Sequence, residues 1–258
     1  MLSPTSALNI RVKDDPIMAG RAAAAEAAEA LRRAQAAQGS ARVVFAAAPS
    51  QRHLLEALAL EEEIDWSRVT AFHMDEYIGL DPGAPQRFGN WLRTAFFDRV
   101  PLEAVHLIDP DPAPEAAAGA YARLLAEGPI DLVCLGIGVN GHLAFNDPPV
   151  ADLDDPQEVK VVELDEICRR QQVDDGGFPD LDQVPRRAIT LTIPRLLAAD
   201  RLVAVVSGKY KSEAVRRTLY DPIGAACPAT ALRTHPRCTL YLDADAASLL
   251  PSGETDEG

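Results

Sequence analysis

The residues best suited to chemistry in this sequence fall in two short stretches. In the first, Asp75 and Glu76 stand side by side just after an apolar segment. In the second, Asn140, His142 and Asp147 follow another apolar segment and a series of glycines. Adjacent carboxylates are costly unless one is exposed or serves as a base, and a histidine can give and take protons at neutral pH. The residue types indicate proton transfer, although a solvated acidic loop and a glycine-rich connection with a structural histidine are the alternatives.

The two stretches should meet at one edge of a sheet. The segment at 132–135 is apolar without alternation, as in a parallel sheet with helices on both faces, and the segment at 69–72 is a second short strand. Ligands of such sheets bind outside the carboxyl ends of the strands. Gly138 and Gly141 follow one of these ends, where glycine lets the backbone turn and lets a ligand approach closely. Both glycines are therefore predicted to contact the substrate.

The rest of the chain alternates predicted helices and strands. Helices are expected at about 16–38, from 49–51 through Leu58, and at 91–97, 115–125, 194–198 and 212–219; strands are expected at 41–48, 105–108, 189–193, 202–206 and 239–242. Residues 150–184, rich in Asp and Gly, are predicted to form an irregular flap over the site, and the tail after about 251 to be disordered. This order predicts a single domain over 1–258, a three-layer α/β/α sandwich with a mostly parallel, Rossmann-like sheet.

Composition limits the classes of partner. The formal net charge of −14 argues against nucleic acid or an anionic membrane as partner. The chain has no apolar run long enough to span a membrane and no charged leader before an apolar core. The four cysteines are widely spaced, without a metal-ligand pattern. We therefore expect a reduced, cytoplasmic protein without a structural metal, and the sequence leaves a homo-oligomer open.

Taken together, the two stretches resemble a known family. The motif Phe-x-Met-Asp-Glu-Tyr-x-Gly-Leu at 72–80, followed by Gly-x-Gly-x-Asn-Gly-His-x-Ala-Phe-Asn-acid-Pro at 136–148, resembles the glucosamine-6-phosphate deaminase family. The resemblance extends from about Arg42 to Leu242. It implies conversion of glucosamine 6-phosphate and water to fructose 6-phosphate and ammonia, without metal or organic cofactor.

The resemblance also implies catalytic roles. Asp75 falls at the base that moves a proton from C2 to C1 of the opened sugar, and His142 at the residue that opens the ring. Asn140 and Asp147 fall at the side chains that orient this histidine. The family usually has Glu where this chain has Asp147, so either the loop lies closer here or the contact is lost. Glu76, beside the base, is a candidate for substrate binding.

The phosphate site departs further from the family. A glycine-rich turn usually follows the first strand there and holds phosphate at a helix N-terminus, whereas this chain has Ala-Ala-Pro-Ser-Gln at 47–51. Ser50 still offers a hydroxyl and an amide as a predicted N-cap. Lys211 falls on the family's phosphate-binding lysine. Arg169 is the predicted phosphate-binding arginine of the flap, with Arg170 as the alternative.

Two other functions stay open at this stage. The 6-phosphogluconolactonases share the implied fold, but they have Asp-Glu-Arg at the first motif and lack the Ala-Phe-Asn-acid-Pro segment, so Tyr77 and residues 144–148 favour the deaminase. A non-catalytic sugar-phosphate sensor is the second alternative. Retention of Asp75 and His142 argues against a sensor, while the altered phosphate turn keeps it open.

Overall fold

The computed structural model describes residues 8–251, so the tail predicted after about 251 lies outside the described residues. The chain forms ten strands and seven α-helices within that range: β1 Leu8–Lys13, α1 Pro16–Gln38, β2 Ala41–Phe45, α2 Arg52–Leu58, β3 Val69–His73, β4 Asp75–Tyr77, α3 Phe88–Ala95, β5 Ala104–His106, α4 Pro114–Ala126, β6 Leu132–Leu135, β7 Val159–Glu163, α5 Glu166–Asp174, β8 Arg187–Leu191, α6 Ile193–Leu197, β9 Arg201–Val206, α7 Ser212–Tyr220 and β10 Cys238–Asp243.

Seven of the strands form a parallel sheet in the order β1-β10-β9-β6-β2-β3-β5. Alternate residues of its inner strands point to opposite faces, as the two-residue period of a strand requires. One face packs against α1, α2 and α3, and the other against α4, α6 and α7. The predicted three-layer α/β/α architecture with a mostly parallel sheet is confirmed.

The longest helix, α1, has ends that the sequence explains. Asp15 accepts a hydrogen bond from the amide of Met18 at 2.8 Å, and Gly39 ends the helix with a φ of 85°. A Cβ on Gly20 would lie 2.5 Å from the Cβ of His53, so the small side chain lets α1 and α2 pack closely. Although α1 has 23 residues, no helix between residues 8 and 251 is both long and apolar enough to cross a membrane.

A second sheet lies beside the first and positions the site. Strands β4, β8 and β7 pair antiparallel, and a single residue separates the end of β3 from the start of β4. The chain therefore passes from the large sheet into the small one at Met74, which places Asp75 at the junction. The prediction for residues 150–184 was wrong in part, because β7 and α5 lie within that segment. The strand predicted at 189–193 belongs to this small sheet, as β8.

Candidate active site

A pocket opens where the carboxyl ends of four neighbouring strands meet. The segments after β2, β3, β6 and β9 line it, together with residues at the end of α5. Because all four strands run parallel, their carboxyl ends share one edge of the sheet. The structure brings seven of the predicted site residues to this pocket or its wall. Ser50, Asp75, Gly138, His142 and Lys211 line it, and Asn140 and Asp147 contact the ring of His142.

Two oxygen atoms fix the ring of His142. Its Nδ1 lies 2.8 Å from Asn140 Oδ1 and 2.9 Å from Asp147 Oδ1, and Asn140 Nδ2 donates to the same carboxylate oxygen at 3.0 Å. Since both neighbours of Nδ1 are acceptors, Nδ1 carries a proton. In the neutral ring, Nε2 is then left with a free lone pair. This arrangement can take a proton from a ligand and return one.

The shorter side chain of Asp147 still reaches the histidine. The carboxylate is fully buried, and burial raises its pKa. The hydrogen bond and the charge of His142, together with hydrogen bonds from Asn140 and Cys168, outweigh that effect and hold the pKa of Asp147 below its usual value. Asp147 is therefore ionised at neutral pH and stabilises a protonated imidazole, which suits a histidine that passes protons.

Asp75 occupies a different electrostatic environment. It is 6% exposed and lines the pocket. Burial raises its pKa well above the usual value, and the neighbouring carboxylates of Glu76 and Asp147 raise it further. A carboxylate that holds its proton this readily is a stronger base when it is ionised. Asp75 and His142 thus offer two proton-transfer groups with different environments in one pocket.

The position of Glu76 does not fit the predicted contact with substrate. Its buried carboxylate accepts hydrogen bonds from the amides of Tyr77, Phe88 and Gly89 at 2.9–3.0 Å. Two of these amides belong to the first turn of α3, where a carboxylate is stabilised by the helix dipole. Glu76 does not line the pocket and instead fixes the start of α3 against the strand that carries Asp75.

The two predicted glycines have different surroundings. Gly138 lines the pocket, and a Cβ there would lie 2.1–2.3 Å from three atoms of the His142 ring. Gly141 has a φ of 85° and does not line the pocket; a Cβ there would lie 2.5 Å from Cys227 Sγ. Its conformation is one that L side chains rarely adopt. Gly138 leaves the space that the His142 ring occupies, and Gly141 allows the backbone conformation of the loop that carries His142.

We predict that Gly138→Ala lowers kcat by about a hundredfold. The added methyl group would overlap the His142 ring and displace it, and a misplacement of about 1 Å can cost a hundredfold in rate. The measurement is steady-state turnover beside a thermal melt. Gly119→Ala in α4 is the matched control, since its nearest neighbour would be 3.8 Å away. Unchanged turnover of the Gly138 variant would show that the ring position is not critical.

Ser50 and Lys211 line the same pocket, in the segments that follow β2 and β9. Ser50 is not a helix N-cap as predicted, because Pro49–Gln51 form a 3₁₀ turn before α2 and Ser50 Oγ accepts a long hydrogen bond from Gln51 Nε2 at 3.3 Å. Lys211 is only 5% exposed, and burial lowers its pKa to about 8. A buried lysine at the pocket wall can bind an anion.

The structure does not bring Arg169 to the pocket. This residue is buried on α5, and its guanidinium donates to the carbonyl oxygens of Leu181, Val184 and Pro185. It therefore holds the 181–185 segment in place. The alternative, Arg170, is on the helix surface and pairs with Glu166 at 2.8 Å. The predicted binding of phosphate by a flap arginine has no support in these positions.

Sequence reasoning missed the residues that α5 supplies. Gln171, Gln172 and Asp175 line the pocket beside Lys211 and Tyr210. The spacing of 171 and 175 puts both on one face of a helix, and Asp165 caps that helix by accepting from the amide of Ile167. These two signals could have revealed the helix and its pocket-facing side within the acidic segment.

One cluster could hold a cation. The donor atoms of His142, Asp147 and Cys168 lie within 4.8 Å of one another. In the structure the imidazole of His142 forms a hydrogen bond with the carboxylate of Asp147 instead. The absence of a metal stays a prediction.

The fold and the pocket define an α/β protein that binds its ligand at the carboxyl edge of a parallel sheet and carries two proton-transfer groups there. Residues 14–241 match the family described as glucosamine-6-phosphate isomerases/6-phosphogluconolactonase, and the chain belongs to this family.

Individual relatives agree with this assignment. A glucosamine-6-phosphate deaminase of Exiguobacterium sp. is 39% identical over 189 residues, which are 73% of this chain and 72% of the relative. A protein of the same name from Thermoanaerobacter pseudethanolicus is 35% identical over 212 residues, 80% of this chain and 81% of the relative.

Solved structures show the same fold. One, described as a monomeric glucosamine-6-phosphate deaminase, has a TM-score of 0.86 and 27% identity, covering 93% of this chain and 99% of that one. The 6-phosphogluconolactonase of Thermotoga maritima has a TM-score of 0.74 and 20% identity, covering 92% and 99%. The second similarity concerns the fold alone.

Proposed function

We propose that this protein is a glucosamine-6-phosphate deaminase, which converts glucosamine 6-phosphate and water to fructose 6-phosphate and ammonia. The observation that carries the proposal is one pocket that holds both the buried carboxyl group of Asp75 and a histidine whose Nδ1 is fixed by Asn140 and Asp147. The relatives at 39% and 35% identity bear the name of this activity. The lactonases resemble the chain only in fold, so they do not favour the alternative.

The first step is opening of the pyranose ring. His142 Nε2 takes the proton of the C1 hydroxyl and a proton is returned to the ring oxygen as the bond between C1 and that oxygen breaks. Asp147 stabilises the imidazolium that exists between these two transfers. The product is an open-chain aldehyde with the amino group at C2.

The second step moves a proton between carbons. Asp75 takes the proton from C2, which the neighbouring carbonyl makes acidic, and delivers it to C1. In the same isomerisation the amino nitrogen loses one proton and the C1 oxygen gains one, so the number of protons is conserved. The amino-bearing C2 becomes an imine carbon. Water adds to it, and the carbon–nitrogen bond breaks to release ammonia and leave the ketone. A carboxylate with a raised pKa suits both halves of this transfer.

The direct test is an assay of ammonia release from glucosamine 6-phosphate. Galactosamine 6-phosphate and 6-phosphogluconolactone should be run alongside at the same enzyme concentration. We expect ammonia from an amino sugar phosphate and no acid release from the lactone. Lactone hydrolysis without ammonia would replace this function by the lactonase one. A cytoplasmic location remains a prediction from the sequence, and the sequence leaves the oligomeric state open.

Removal of Lys211 tests the anion end of the pocket. Lys211→Ala should raise KM for glucosamine 6-phosphate by about ten- to a hundredfold, because a charge-assisted hydrogen bond contributes ~1.5–3 kcal/mol. The KM of the parent protein should also rise above about pH 8, since Lys211 is protonated below its pKa of about 8 and neutral above it. Steady-state kinetics across pH measure both effects.

Lys209→Ala is the matched control, since Lys209 lies two residues away and is exposed. It should leave KM and its pH dependence unchanged. A Lys211→Ala protein with the parent's KM would show that the lysine does not bind the phosphate.

A further inference from the structure

An acidic residue lies at the end of the pocket where an anion is expected. Asp175 directly follows α5 and lines the pocket with Ser50 and Lys211. No arginine is among the described residues that line this pocket. A phosphate group entering there would therefore meet one buried cation and one carboxylate rather than a cluster of cations.

The carboxylate of Asp175 is held in place from two sides. Gln171 Nε2 donates to one of its oxygens at 3.1 Å, and Tyr210 Oη approaches the other at 3.5 Å. Gln171 is itself fixed, because its Oε1 accepts from the amide of Val139 at 2.9 Å. Val139 belongs to the loop that carries His142. The position of the carboxylate is therefore tied to the catalytic loop.

The helix dipole does not favour an acid at this position. Asp174 and Asp175 stand at the C-terminal end of α5, whose last turn has no basic residue. Negative charge at that end of a helix is unfavourable, because the helix dipole is negative there. Asp175 and Lys211 line the same pocket on either side of Tyr210, whose Oη lies 3.5 Å from Asp175 Oδ1 and whose ring centroid lies 5.3 Å from Lys211 Nζ. At this separation the charge of Asp175 raises the pKa of Lys211, against the larger lowering effect of burial.

We propose that Asp175 is a specificity-determining residue of this site, because its carboxylate competes with the phosphate group of the substrate for Lys211. The inference rests on the proposed deaminase function and refines its substrate class. Asp175 is therefore expected to reduce the preference of the site for a 6-phosphate. The difference in affinity between an amino sugar 6-phosphate and the same sugar without the phosphate should be smaller than Lys211 alone would produce.

Two non-reacting probes test this inference by binding. 2-Amino-2-deoxyglucitol 6-phosphate and 2-amino-2-deoxyglucitol are reduced at C1, so neither can isomerise. Asp175→Asn should bind the phosphorylated probe about tenfold more tightly, about 1.4 kcal/mol, and leave the affinity for the unphosphorylated probe unchanged. Asp174→Asn, the exposed neighbour, should change neither affinity. Calorimetry gives each dissociation constant.

The ratio of the two affinities decides the result. An unchanged ratio in Asp175→Asn, weaker binding of the phosphorylated probe, or no binding of either probe to the parent protein would overturn the inference. If Asp175→Asn does not fold, Asp175→Ser is judged by the same ratio. Because the probes need no turnover, a lack of ammonia release with the predicted affinities would contradict the proposed function alone.

Discussion

Asp75→Asn should lower kcat for glucosamine 6-phosphate by about 10²–10⁴-fold, the usual contribution of a general acid–base group. Asparagine keeps the size and the hydrogen-bonding oxygen of the side chain but cannot take a proton from C2. The affinity for a non-reacting sugar phosphate should be unchanged, because the substitution leaves Ser50 and Lys211, the residues proposed to bind the phosphate, in place. Turnover and binding are therefore measured on the same variant.

The raised pKa of Asp75 implies that the loss of kcat in Asp75→Asn does not come from unfolding. The folded-state pKa of Asp75 is raised, so its contribution to stability falls as pH rises above the pKa of the unfolded chain. Removing the charge should leave the melting temperature at neutral pH unchanged or higher. Asp182→Asn, at an exposed position, is the control. A decrease in kcat of less than about tenfold would remove Asp75 from the role of base.

His142→Gln should have the second large effect, and on one step only. Glutamine can occupy the space but cannot pass a proton, so turnover of the closed pyranose should fall by about 10²–10⁴-fold. An open-chain substrate analogue bypasses ring opening and should react with a much smaller loss. The measurement is the ratio of the two kcat/KM values in the variant and in the parent protein.

His53→Gln provides the matched control, because His53 lies on α2, outside the pocket, and its partly exposed ring faces Glu56 at 3.7 Å. It should change neither rate. Equal losses for the closed and the open-chain substrate in His142→Gln would place the histidine in the isomerisation step or in loop structure, and would contradict ring opening as its role.

The meeting of polar residues at the carboxyl ends of the strands could be predicted from the sequence. The segment 132–135 is apolar throughout, as is typical of a parallel sheet, and 69–72 is a short, mostly apolar strand, so the polar residues after them were expected to meet at one edge. The structure brings Asp75, His142 and Lys211 to that edge for this reason. The contact of Asp147 with His142 could not be predicted, because it depends on how closely the loop folds back, which local sequence does not determine.

The flap was the least predictable part. Its acidic residues suggested a loop, whereas Asp165 caps a helix there. Because the helix was not predicted, the sequence did not show which of its residues face the pocket. The guanidinium of Arg169 in fact donates to backbone carbonyl oxygens. The same helix places Asp175 in the pocket, one turn after Gln171. The small sheet was missed because its pairing depends on contacts between β4 and β8, which are more than a hundred residues apart.

The most direct measurement uses glucosamine 6-phosphate that carries deuterium at C2. Ammonia is quantified in solution, and the sugar product is analysed by nuclear magnetic resonance. The expected result is equal amounts of ammonia and fructose 6-phosphate from the parent protein, with the deuterium either at C1 or lost to solvent through Asp75. Asp75→Asn should form neither product at a comparable rate. Labelled substrate that stays unchanged, while the same protein hydrolyses 6-phosphogluconolactone, would contradict the proposed deaminase activity.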